Sequence, residues 1–427
     1  MSLTACEKEI FNRILKEELV PATGCTEPVA IAYAAAAAKK ALGCEPEVCE
    51  AELSGNIIKN ARCVAVPNTG GLKGIEAAVA AGVVAGRAEL ALDVLSSASG
   101  REEEIRDFLE KRGVSVRPAD NDLTFFIRVT VGAGSSRAKA VIEGFHTNLV
   151  LIEKDGRELF RSGAKSNPCC VADRSMLTVE KIVEFADVAD LDEIREILER
   201  QIAFNSAISE EGLKGDWGAN VGKVILKTFG DSPESRLKAV AAAGSDARMG
   251  GCVKPVIIVS GSGNQGITAS VPVVEYARQK AADRERLLRA LIVADLTTIH
   301  QKTGIGRLSA YCGAVSAGCG AAAGIAYLNG GGYSEIAHTV VNALAVCSGM
   351  ICDGAKPSCA AKIAVAVEAG LLGYAMSLNG KEFLDGEGIV VKGVDNTIKN
   401  IGELASEGMA QTDKKILSLM TEKRCGR

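Results

Sequence analysis

The sequence predicts an α+β fold: an N-terminal α/β lobe with a small, mostly antiparallel sheet, followed by a mainly α-helical lobe. Alternation with a period of two is confined to residues 113–162, whereas from Leu177 onward apolar residues recur at helical spacing. Length adds a third argument, because 427 residues make two units at the usual ~100–200 residues each. The boundary is placed near 170, giving lobes 1–170 and 171–427. No fixed-period repeat and no low-complexity linker separates them.

Residues 6–19 have helical apolar spacing, and Pro21-Ala22-Thr23-Gly24 breaks it. A second helix is signalled from Thr26, read as its N-cap, with Glu27 and Pro28 in the first turn and an Ala-rich body to Leu42. Val48–Leu53 reads as a strand, 67–71 as a loop, and 74–89 as an Ala-rich helix. A helix at 99–112 precedes strands at 114–117, 123–131, 138–146 and 149–154, separated by Asp/Asn- and Gly/Ser-rich turns. Beyond 177 the helices are rich in Ala and Gly, which lets backbones approach closely in a compact core. A last helix is expected at 413–421.

With 49 basic and 53 acidic residues the formal charge is −4, which argues against a polyanion partner. Aromatics make up 4% of the chain, with one Trp, too few for a base-stacking platform. Within the longest uncharged run, 308–334, residues 311–329 are built mainly of Gly, Ala, Ser and Cys and hold too few strongly apolar residues for a membrane span. Glu7, Lys8 and Glu9 are foreign to a signal peptide, so a cytoplasmic protein is expected.

Fourteen cysteines with three histidines and no C-x-x-C exclude the usual zinc spacings. Most such thiols pack as small hydrophobes. Cys25 differs, since it stands beside Gly24 just before a helix start, where free N–H groups and the helix dipole stabilise a thiolate; exposure and a lowered pKa are expected there, against the plain alternative of a packed thiol. Cys352 and Cys359 are spaced C-x6-C around Gly354 and Pro357, a loop able to turn two thiolates to one point, with Cys312 and Cys319 upstream. Cluster ligation and burial explain that spacing equally well. Gly261-Ser262-Gly263-Asn264-Gln265-Gly266 matches G-x-G-x-x-G. Pro272 follows too soon for a clean helix and no second βαβ unit follows, so the run is read as a loop offering N–H groups to a substrate carboxylate, or as a plain connector.

Together, residues 21–28, Asp246-Ala247-Arg248-Met249-Gly250-Gly251, 261–267 and 348–359 resemble the L-cysteine desulfidase family, related to the iron–sulfur L-serine dehydratases. The resemblance spans essentially the whole chain. It implies a 4Fe–4S cluster held by Cys312, Cys352 and Cys359, leaving one iron open. It implies Cys25 as proton acceptor, with Cys25 as a ligand the alternative. The reaction implied is β-elimination of L-cysteine to sulfide, ammonia and pyruvate without pyridoxal phosphate. Ser262, Asn264 and Gln265, aided by Thr26, are expected to hold the amino acid. Cys425, near the C-terminus, is either a plug on the open iron, as in the related dehydratases, or an incidental tail thiol. The expected partner is a small amino-acid substrate, with neither nucleic acid nor membrane involved and a homo-oligomer left open. Two other classes stay open: a lyase acting on a serine-like substrate, and a non-enzymatic metal or nucleotide binder.

Overall fold

A computed structural model describes residues 3–121, 123–162 and 172–421; the expected boundary at 170 and Cys425 lie outside the described residues. Helix α1 (Ala5–Glu18) opens with a capping box between Thr4 and Glu7. The break after it is a short strand, β1 (Pro21–Thr23). Helix α2 (Thr26–Leu42) starts where the sequence indicates, but its N-cap is Cys25, and Thr26 already belongs to the first turn. Strand β2 (Val48–Leu53) leads into α3 (Gly55–Ala61), whose seven residues are too few for a periodic signal. Helix α4 (Gly74–Ala85) ends earlier than expected, and a 3₁₀ segment, Ala88–Asp93, follows.

After α5 (Glu102–Arg112) come β3 (Ser115–Pro118), β4 (Phe126–Ala133), β5 (Ser136–Glu143), β6 (Leu149–Lys154) and β7 (Arg157–Arg161). The sheet runs β3-β2-β4-β5-β6-β7 and is antiparallel except for the β2–β3 pair, in line with the predicted small sheet. Strand β7 escaped the sequence reading because all five of its residues are exposed, so no alternation marks it. The Ala-rich α2 lies across β4, β5 and β6 with α4 behind it, closing the first core around Ile31, Ile127 and Val129.

The second lobe is built from α6 (Val179–Val188), α7 (Arg195–Lys214), α8 (Val221–Phe229), α9 (Pro233–Met249), α10 (Gly263–Gln279), α11 (Arg284–Ile305), α12 (Gly313–Leu328), α13 (Tyr333–Cys347), α14 (Cys359–Leu378), α15 (Val394–Glu403) and α16 (Ala410–Thr421). Nearly all of α12 is buried between α10, α11, α13 and α14, where its small residues admit close contact. By length and composition α14 alone among the described helices could cross a membrane, but half of it is buried, and it packs on α9, α12 and α13.

Among the described residues several contacts cross between the halves, and helix α1 packs into the helical core, with Phe11 against Phe185 at 5.0 Å between ring centroids. Strand β8 (Pro255–Ile257) pairs antiparallel with β1, and α16 returns to α3, where the Lys59 ammonium meets the Asp413 carboxylate at 2.5 Å. The β1–β8 ladder carries Cys25, just after β1, and residues 261–265, just after β8, to the same place.

Candidate active site

Four helices begin around one cavity of about 110 Å³. Its wall includes Cys25 at the N-cap of α2, Ser262, Asn264 and Gln265 at the start of α10, Cys312 at the N-cap of α12, and Cys359, the first residue of α14. Helix starts present unpaired N–H groups and positive potential, so their convergence favours anions: thiolates, a carboxylate, or both. At roughly 10–15 Å³ per water position the cavity has room for a small molecule.

Cys312 and Cys352 sit on two extended segments bridged at Tyr311 and Ile351. The Cys312 N–H donates to the Met350 carbonyl at 3.0 Å, and the Cys352 N–H to the Ala310 carbonyl at 2.6 Å. The Tyr311 hydroxyl pairs with the Ser348 hydroxyl at 3.0 Å, fixing the same corner. The turn leading to Cys359 is held by Asp353, which pairs with both Lys356 and Lys362. Gly354 has φ +95°, and a Cβ there would stand 2.1 Å from the Lys59 carbonyl oxygen. Burial, reinforced by Cys352 and Cys359, pushes the Cys312 thiol up to about 12. Burial also raises Cys359, with Cys352 adding to it. Three half-buried thiols lining one cavity ionise together only beside compensating positive charge.

Among the described residues no three His, Cys, Asp or Glu side chains are close enough to bind a single metal ion. A cluster makes a different demand, because each thiolate takes its own iron. Three thiols facing one cavity, Cys312 and Cys359 from two helix starts and Cys352 from the extended segment between them, fit that donor set.

Cys25 is only 2% exposed, which corrects the expectation of an exposed thiol. Its Sγ–H donates to Glu27 Oε2 at 3.1 Å. Burial first and the Glu27 carboxylate second raise its pKa well above the ordinary thiol value, with Arg248 pulling the other way. The expected lowering by the helix start is therefore overridden by desolvation and a neighbouring negative charge. Glu27 itself, although burial opposes it, is held at about 2 by His146 and the Cys25 hydrogen. Thr26 does not line the cavity. Its hydroxyl donates to the Gly261 carbonyl and to Glu27 Oε2, each at 3.3 Å, tying the first turn of α2 to the facing loop.

That loop also corrects the sequence reading, because α10 begins at Gly263 with Ser262 as N-cap and tolerates Pro272 within it. The glycine pattern has a packing cause: a Cβ on Gly266 would lie 1.9 Å from the Ile257 carbonyl oxygen. Strand β8 pairs antiparallel with β1 and belongs to no parallel sheet, so the run has no dinucleotide-binding context. Asn264 Oδ1 accepts from Arg248 Nη1 at 3.2 Å, while Gln265 Oε1, Arg248 Nε and His146 Nε2 are buried without a hydrogen-bond partner. All of these residues line the cavity.

Four residues there were missed by sequence reasoning: Glu27, His146, Arg248 and Lys302. Arg248 falls inside the Asp246–Gly251 segment, where Asp246 serves a different end, its carboxylate accepting the Gly222 N–H at 3.0 Å near the start of α8. Lys302 is 5% exposed, and burial lowers its pKa to about 8 against the opposing pull of Cys352 and Cys312. A charge is rarely buried without a partner, but the burial of Lys302 is set by segments distant in the chain, so no local signal marked it.

The chain matches the family model "Serine dehydratase alpha chain" over residues 91–418. It is 54% identical over 414 residues to a UPF0597 protein of Desulfitobacterium hafniense, covering 96% of each chain. A UPF0597 protein of Lachnoclostridium phytofermentans is 48% identical over 410 residues, covering 95% of this chain and 98% of the relative. One from Treponema denticola is 45% identical over 430 residues, with 98% and 99% covered.

Proposed function

Because the chain belongs to the serine dehydratase alpha chain family, we propose that it is a lyase that removes the β-substituent of a small α-amino acid, with L-cysteine as substrate and sulfide, ammonia and pyruvate as products. The observation that carries this reading is the meeting of four thiols, Cys25 at the start of α2 and Cys312, Cys352 and Cys359 from the helical lobe, with unpaired polar groups at one small cavity. Cys312, Cys352 and Cys359 would hold a 4Fe–4S cluster, which when bound supplies a Lewis-acidic iron that favours departure of the β-substituent.

The chain's own side chains do the rest. Among the described residues neither Lys302 nor Arg248 is paired with a carboxylate, so both are free to receive the substrate's α-carboxylate. Gln265 Oε1 is an open acceptor for its ammonium. As a thiolate, Cys25 takes the Cα proton; the C–H electron pair becomes the Cα=Cβ bond, and the Cβ–S pair leaves on sulfur as hydrosulfide. The aminoacrylate then tautomerises to the imine, which water hydrolyses to pyruvate and ammonia.

The family match also supports elimination of hydroxide from L-serine. A soft sulfur ligand suits iron better than a hydroxyl, which favours cysteine. The test is anaerobic reconstitution with iron and sulfide, followed by a substrate panel without pyridoxal phosphate. Equimolar sulfide and pyruvate from L-cysteine, at a kcat/KM above that for L-serine, is expected. A higher value for L-serine would reverse the choice, and turnover of neither would refute the lyase.

A further inference from the structure

Elimination requires Cys25 as a thiolate, yet its sulfur is buried and donates its hydrogen to Glu27. We propose that Glu27 and His146 form the path by which this proton leaves, with His146 Nε2 as its resting place and a second cavity as the way to solvent. This rests on the elimination reading above.

The geometry lies along one line. Cys25 Sγ stands 3.1 Å from Glu27 Oε2, and Glu27 Oε1 stands 3.9 Å from His146 Nε2. That nitrogen is buried without a hydrogen-bond partner, a costly arrangement unless the lone pair is used. The ring is fixed edge-on against Phe125, centroids 4.8 Å apart. A 3.9 Å gap exceeds a hydrogen bond, and contacts of this kind close when a site fills. On its other side His146 lines a cavity of about 670 Å³ shared with Glu18, Phe145, Thr147 and Arg307, where Phe145 is 38% exposed. His146 and Arg307 are the two residues common to both cavities. The charged groups near the ring are Glu27 from α2 and Arg307 from the segment after α11, the latter paired with Glu18 at 3.2 Å.

Each transfer balances. The Cys25 S–H bond breaks as Glu27 Oε2 gains the proton, and the sulfur keeps the electron pair. A half-turn of the carboxyl group brings the proton to His146 Nε2, leaving imidazolium beside carboxylate. After elimination the Cα proton on Cys25 follows the same path, and water in the second cavity receives it from His146.

The test uses the cluster-loaded protein and the variants Glu27→Gln, His146→Gln and His146→Ala. Both Gln variants should lose kcat by ~100-fold or more while KM stays within about twofold, with wild-type iron and acid-labile sulfide contents. Added imidazole should restore at least about a tenth of the wild-type rate to His146→Ala, and methylimidazoles should rank by basicity. Undiminished kcat in His146→Gln beside an active wild type overturns the path alone. So does a loss matched by lost iron, or rescue that ignores basicity. A wild-type protein that releases no sulfide overturns the elimination reading and the path with it.

Discussion

Replacing Gly354 by Ala attacks the loop that carries two of the three proposed ligands, and Gly349 in the same loop supplies the control. At Gly354 φ is +95°, and a Cβ would lie 2.1 Å from the Lys59 carbonyl oxygen and 3.0 Å from its carbonyl carbon. Left-handed backbone costs an L-residue about 1–2 kcal/mol. Relief of the clash by backbone shift adds about 1–3 kcal/mol. Lys59 cannot give way cheaply, because its ammonium is bound to Asp413 and to the Ser309 carbonyl. The sum is about 2–5 kcal/mol, which a protein holding the usual 5–15 kcal/mol survives while its Cys352–Cys359 turn shifts. At Gly349 φ is not left-handed and nothing lies within 4 Å of an added Cβ, so Ala there should be silent. Denaturant midpoints and iron content after anaerobic reconstitution read the two effects. Gly354→Ala should lose more iron than its stability loss explains, and Gly349→Ala should match wild type. Equal midpoints and equal iron in the two variants would refute the argument.

Four further outcomes are expected. Ser in place of Cys312, Cys352 or Cys359 should lower iron and acid-labile sulfide together, as metal analysis would show; full occupancy in all three variants removes them as ligands. Cys25→Ser should keep its iron and lose kcat by about 10²–10⁴-fold, since a serine hydroxyl is too weak an acid to serve as base, whereas collapse of iron content would make Cys25 a ligand. Lys302→Met should raise KM for L-cysteine at least about tenfold through loss of a charge-assisted contact, with thermal stability retained or improved because a buried charge is removed; an unchanged KM would take Lys302 out of the site. Burial raises Asp295 to about 7, with the Gln201 hydrogen bond opposing. The native state therefore holds a proton that the unfolded state releases, and stability falls as pH rises from about 4 to 7, by at most about 4 kcal/mol. Asp295→Asn should flatten that decline in unfolding curves measured across this range, and an unaltered slope would refute the assignment.

Local sequence determined the elements with clear signals. The apolar spacing of α1, the Ala-rich body of α2 and the alternation through β4 and β5 are properties of a few neighbouring residues, so their positions were legible within a few residues. Segments without such a signal were not: α3 is too short, and β7 exposes every residue. The identity of the site residues was partly legible too, because Cys25, Ser262, Asn264, Gln265, Cys312, Cys352 and Cys359 stand in recognisable short runs, and the structure brings all seven to one cavity.

Their chemical state was not legible. A helix start near Cys25 suggested an exposed thiolate, but its burial and the carboxylate two residues on set the opposite tendency. Desolvation depends on everything packed around an atom, most of it distant in the chain, whereas a helix cap depends on four residues. For the same reason Lys302, Arg248 and His146 gained meaning only in three dimensions. Each comes from a different segment, and it is the absence of a partner for a buried polar group, visible only once all neighbours are placed, that sets them apart.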